Sequence, residues 1–187
     1  MAEFQARRFA AFVLSRGRAL VHDEAGVTAI EFGVLALPFF TVILAIIQTA
    51  IMFLAMQVLD SAVEDASRKI RTGQAAGYSL DDFRTLVCTS TYSLFDCSQI
   101  QLRSEVLADF SNVALNQTVQ TCTTTPATCT WTSGWQSFSA GGHDSVMQVS
   151  AYYRYPLIVV LPYFNLKNQP DNFRLISAIS VFRNEPY

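Results

Sequence analysis

Glu31 is a carboxylate set inside an apolar run, "GVTAIEFGVLALPFF". From Val27 to Leu59 no other side chain ionises. A charge near mid-bilayer costs about 2.5–3.5 kcal/mol on insertion scales, so an ionisable group there is a functional candidate by default. Close to one end of the run, a side chain that reaches the interface lowers that cost. Reach alone does not explain Gly26, which stands just before the run. Val27 and Glu31 are i and i+4, neighbours on one helix face. The chemistry open to Glu31 is ion pairing, and the run supplies no cation.

The other reactive groups lie in the C-terminal part. Four cysteines, Cys88, Cys97, Cys122 and Cys129, make an even set. They predict two disulfides in an oxidising compartment. Three connectivities satisfy the count. Pairing Cys88 with Cys97 and Cys122 with Cys129 is expected, because each closes a short loop. A zinc site fits poorly: no spacing is C-x₂-C, and His143 is the one histidine nearby. His143 and Asp144 adjoin in a glycine-rich loop, where a solvated turn is the simpler reading than a catalytic pair. There is no G-x-S-x-G, Walker loop, H-E-x-x-H or G-x-G-x-x-G. The chain is therefore not read as an enzyme, and no catalytic residue, cofactor or metal is assigned. No basic, aromatic-interleaved patch suggests nucleic acid. The sequon Asn116-Gln117-Thr118 is too frequent by chance to use.

The elements that position these residues begin with the run itself. Phe32 to Leu59 exceeds the ~20 apolar residues a spanning helix needs. Arg7, Arg8, Arg16 and Arg18 precede it, whereas Asp60, Glu64 and Asp65 follow it at once. The basic flank places residues 1–26 in the cytoplasm as a leader. Phe4, Phe9, Phe12, Val13 and Leu14 give that leader a weakly amphipathic, lipid-surface character. The expected divisions are a leader at 1–26, a transmembrane helix at 27–59, a helical stem at 60–77 and an exported domain at 78–187. In the stem Ala62, Ala66 and Ile70 share a face. Glu64 with Arg68, and Asp65 with Lys69, stand in the favourable acid-first order. Gly73 and Gly77 offer a stop.

Ser79 with Asp82 resembles a capping box, opening a short helix with Leu80, Phe83 and Val87 on one side. Ile100, Leu102 and Val106 alternate with polar residues, as a half-buried strand does. Met147, Val149, Ala151, Tyr153 and Tyr155 share a strand face that Pro156 ends. "LIVVLPYF" is a short, proline-bounded apolar stretch. The last strand groups Phe173, Leu175, Ile179 and Val181. The fold expected is α+β: a long N-terminal transmembrane helix whose amphipathic stem packs on a small antiparallel sheet. The Thr- and Ser-rich loop between the strands carries Trp131 and Trp135. It reads either as a contact surface for a partner or as a long hairpin folding back on the sheet.

Gly26, then Val27, with Glu31 fifth after the glycine, is the pattern of type IV prepilins. The stretch "GVTAIEFGVLALPFF", the later "ASRKIRTGQA" and the ending "FRNEPY" resemble TadE-like pseudopilins of the tight-adherence, or Flp pilus, system. That resemblance implies a prepilin peptidase cutting between Gly26 and Val27. The cut would leave an amine on Val27, mostly protonated at neutral pH, to meet Glu31 within the chain or on a neighbouring subunit. Ala29, Gly33 and Ala36 would form a small-residue stripe for helix packing, and Pro38 would favour a kink. Implied partners are the prepilin peptidase, other TadE-like or Flp pilus subunits, the inner-membrane assembly platform and membrane lipid. Main pilins of this kind have little beyond the helix and often Tyr after the Glu. Phe32 and the exported domain point instead to a minor pilin or pseudopilin. The rival expectation is an unprocessed, membrane-anchored periplasmic adhesin.

Overall fold

The computed structural model describes residues 24–115, 119–158 and 165–186, with the backbone alone at 24–26. Residues 1–23 of the leader, the sequon and most of "LIVVLPYF" lie outside the described residues. The chain divides into two units, Met1–Ile46 and Ile47–Tyr187.

Within the first unit the described chain belongs to helix α1, Glu24–Arg71. From Val27 this helix is long and apolar enough to cross a membrane, with mean hydropathy 2.4 in its most apolar stretch. Phe32, Leu35, Leu37 and Phe39 are each exposed, as side chains facing lipid would be. Pro38 sits inside α1, and its ring nitrogen has no proton for the Val34 carbonyl.

In the second unit α1 becomes a stem with one buried face. Met52, Ala55, Leu59, Ala62, Val63, Ala66 and Ile70 are covered by the domain, at the three- and four-residue spacing of a helical stripe. Cover begins at Met52, earlier than the composition boundary at Leu59 suggests, so the last turns of the apolar run serve the domain core. Val27 to Ile51 still clears a ~30 Å hydrocarbon layer at ~1.5 Å per residue. The stem ends at Arg71, where Gly73 adopts φ +75°. Its N–H donates to Ile70 O (3.0 Å), and Ala75 N–H donates to Lys69 O (3.2 Å). Glycine takes that left-handed turn without steric cost.

Helix α2, Leu80–Thr89, has a complete capping box. Ser79 Oγ accepts from Asp82 N–H (3.2 Å), and Ser79 N–H donates to Asp82 Oδ2 (2.9 Å). Phe83 and Val87 are its buried residues, with the Phe83 ring 4.9 Å from that of Phe138.

Three strands form the main sheet in the order β1–β4–β5: β1 is Gln101–Leu107, β4 is Val146–Pro156 and β5 is Phe173–Arg183, all antiparallel. Between them β2, Gln120–Thr124, and β3, Ala127–Trp131, pair as a separate hairpin. The central strand β4 is buried on both faces. Met147, Val149, Ala151 and Tyr153 enter the main core with the stem, while Tyr152 enters a second cluster with Val119 and Trp135.

Covering both faces adds a second buried face to β5 and changes the reading of β1. On β5 the residues in the main core are Ile176 and Ala178, with Phe182 against them. Leu175 and Ile179 instead pack on the Trp135–Tyr152 cluster. The apolar residues of β5 therefore serve two cores rather than one face. On β1, Ile100 and Leu102 are buried as expected, but Val106 is 50% exposed, near the end of an edge strand with a strand neighbour on one side alone. Gln101, expected outward, is buried beside its register partner Tyr152.

Candidate functional site

α1 positions the opening constellation. Val27 and Glu31 are both exposed, one helical turn apart. Among the described residues no ion pair forms with Glu31. Ala29 and Gly33 are exposed and Ala36 is half-buried. A methyl group added at Gly33 would meet nothing within 4 Å, so this chain alone does not use the room that small residues make. Past Pro38, Thr41 Oγ1 donates to Leu37 O at 2.7 Å.

The cysteines are joined as Cys88–Cys97 and Cys122–Cys129. The first closes the loop after α2. Phe95 in that loop is buried, its ring 4.8 Å from Tyr153 in edge contact. The second bridges directly opposed residues of the β2–β3 hairpin. Among the described residues no group of His, Cys, Asp or Glu is placed to hold a metal ion.

The two tryptophans do not make one outward surface. Trp135 is only 6% exposed, with its ring 5.3 Å from Tyr152 and the Arg103 guanidinium above it. It packs on Tyr152 and Val119, where an aromatic of that size contributes more than by facing water. Trp131 is partly exposed, with Arg154 over its ring. His143 and Asp144 lie 3.5 Å apart and are largely solvent-exposed, the surface turn that their sequence context suggests.

Several residues that organise the domain carried no strong sequence signal. Arg154 donates from Nη1 to Cys129 O (2.8 Å), pairs through Nη2 with Asp171, and lies between Trp131 and Phe173. It ties the clipped hairpin to the sheet. Its signal was a lone arginine among tyrosines in "AYYRYP". Gln148 is buried, exchanging hydrogen bonds with both the N–H and the carbonyl of Ala114 (3.1 and 2.9 Å). Asn184, within "FRNEPY", is 2% exposed and donates from Nδ2 to Ala140 O and Gly142 O, each at 2.9 Å. Burial holds the Tyr152 phenol above its usual range. Hydrogen bonds from the Ser98 hydroxyl, then from its N–H, hold the Asp96 carboxyl below its usual range.

No curated protein and no solved structure matches the chain. One family model does, that described as TadE-like protein, over residues 26–68. The match starts at the glycine before the apolar run and extends through most of the stem. That family is a pilus assembly component and points to a role with the Tad, or Flp, pilus. Over residues 26–68, the membrane helix and most of the stem, this chain is similar to TadE-like proteins.

Proposed function

We propose that the chain is a minor pilin or pseudopilin acting in the assembly of Flp-type pili and in surface adherence. It sits in the inner membrane with residues 1–26 cytoplasmic and the disulfide-bonded domain periplasmic. Prepilin peptidase cuts between Gly26 and Val27. The new amine then neutralises Glu31, in the same chain or across to a neighbouring subunit, and so sets the register of packed helices. Ala29, Gly33 and Ala36 bring those helices close. Other pilus subunits and the inner-membrane assembly platform are its partners.

The observation that carries this reading is the extent of the family match, which opens at Gly26 and includes Glu31. The exposure of Glu31 and the empty space at Gly33 support it, since both wait on something outside this chain. Intact mass of the membrane-extracted protein is the test. A product beginning at Val27, lost in Gly26→Ala or without prepilin peptidase, is expected. Full-length protein in cells with an active peptidase overturns processing and leaves the unprocessed adhesin.

A further inference from the structure

β5 is an edge strand with an open outer side. Leu175 turns its main chain away from β4: its N–H donates to Asn168 Oδ1 (2.8 Å) and its carbonyl accepts from Asn168 Nδ2 (3.0 Å). Alternate residues of a strand offer main-chain groups to the same side. The unbroken register from Val146↔Arg183 to Pro156↔Phe173 keeps that parity, so Ser177, Ile179 and Val181 also face outward. Among the described residues no hydrogen bond reaches their outward groups. On the opposite edge the middle of β1 is covered: Ser104 donates to Ser137 O (2.9 Å) and accepts from Ser139 N–H (3.0 Å).

The open edge borders a groove of about 300 Å³ between Val181 on β5 and Glu64, Asp65, Ser67 and Arg68 on the stem. Ser67 is 3% exposed and its Oγ has no hydrogen-bond partner. Buried hydroxyls are ordinarily satisfied, so an orphan beside a groove marks where a ligand's polar atom belongs. A row of outward N–H and C=O groups is complementary to another extended main chain.

Direction and charge narrow the occupant. Glu64 lies 3.4 Å from Ser180, and Arg71 lies 3.5 Å from Glu185, so the stem and β5 run the same way. Antiparallel pairing of two β5 edges turns one copy by a half-rotation about the sheet normal and reverses its stem. β5 itself has no acidic residue, so a second copy docked through this edge would bring no carboxylate to Arg68. Glu64 precedes Arg68 by about 6 Å of helix, close to two residues of strand. An incoming antiparallel strand therefore passes Arg68 first and Glu64 two residues later. We infer that this groove receives an extended strand of a different protein, with an acidic residue two positions before a basic one on its stem-facing side. The inference does not depend on cutting at Gly26.

The test uses full-length protein in detergent micelles and dye-labelled synthetic peptides, of Val and Thr with Glu two positions before Lys, or in the reverse order. The forward peptide is expected to bind several-fold tighter by fluorescence anisotropy and to slow amide exchange at Ser177, Ile179 and Val181. Charge reversal, Glu64→Arg with Arg68→Glu, should invert the preference. Ile179→Pro removes an outward N–H and no ladder bond, so it should abolish binding while the circular dichroism spectrum holds. Should that variant unfold, the exchange pattern and the charge reversal decide. Equal binding of both peptides, no binding, or absent amide protection overturns the inference. So does self-association of the protein that Ile179→Pro removes, because the occupant would then be a second copy.

Discussion

Glu185 is joined to Arg71 twice: its N–H donates to the Arg71 carbonyl at 2.9 Å, and its carboxylate lies 3.5 Å from Arg71 Nε. The strand end is thus fastened to the stem end by main chain as much as by charge. Both side chains are about half exposed, where an ion pair contributes only about 0–1 kcal/mol. Glu185→Ala is expected to leave thermal stability nearly unchanged, since the main-chain bond remains. Asn184→Ala should behave differently, because it removes a buried side chain that donates to both Ala140 O and Gly142 O. A loss of about 1–3 kcal/mol is expected for it. Paired denaturant melts of the two variants check this; equal losses would refute it.

Gly141 has φ +65°, and a methyl group there would lie 2.5 Å from Met147 Sδ and 3.2 Å from Asn184 Nδ2. Met147 is fully buried, so it has little room to retreat. Gly141→Ala is expected to destabilise by about 1–3 kcal/mol, from overpacking plus the strained backbone. Gly134→Ala has the strained φ without the crowding, and its measured loss should be smaller.

The Asp82 carboxyl is held below its usual range by hydrogen bonds from the Ser79 hydroxyl, then from the Ser79 N–H. A depressed acid contributes stability that is present above its unfolded pKa, about 3.9, and is lost as pH falls through the lower folded value. The α2 N-terminus should therefore loosen in acid, between roughly pH 4 and the folded pKa. Amide exchange at the start of α2, compared with Asp82→Asn, reads this out. An α2 whose protection falls equally in the variant would sink it.

Glu31 lies in the first unit, outside the disulfide-bonded domain. Glu31→Gln removes the charge and keeps the shape. The melt of the domain should be unchanged, while pilus assembly in cells fails. Normal piliation with Glu31→Gln would remove the registration role.

The two disulfides should differ in what they hold. Cys88–Cys97 encloses Phe95, which packs in the main core against Tyr153. Cys122–Cys129 crosses a hairpin whose β2 residues are mostly exposed. Closing loops of this size contributes on the order of 2–3 kcal/mol in the chain-entropy view. Replacing Cys88 and Cys97 by serine should lower the global melting temperature. The same change at Cys122 and Cys129 should chiefly raise amide exchange in the hairpin. A mass-resolved exchange map of both double variants separates the two outcomes.

Legibility followed the range of the interactions. The Ala62–Ala66–Ile70 face and the Ser79–Asp82 box are local, with periods of three or four residues, and sequence spacing announces them. Leu175 and Ile179 do share a face of β5, but which core that face meets was not legible, because parity on a strand has meaning only once both sheet faces are known. Ile176 and Ala178 meet the stem while Leu175 and Ile179 meet Trp135's cluster. Asn184 bonds to a carbonyl 44 residues away, and Arg154 to one 25 residues away; no window along the chain contains both ends. Gly26 and Glu31 stood out for the opposite reason, since a charge in an apolar run conflicts with its own surroundings.

The cover that Ser137 and Ser139 place over Ser104 has a consequence for valency. A sheet with two live edges is bivalent and propagates; fibres grow that way. Here one edge is interrupted at Ser104 and the other ends at the Asn168 amide on Leu175. Such a sheet is blocked from propagating evenly through both of its edges.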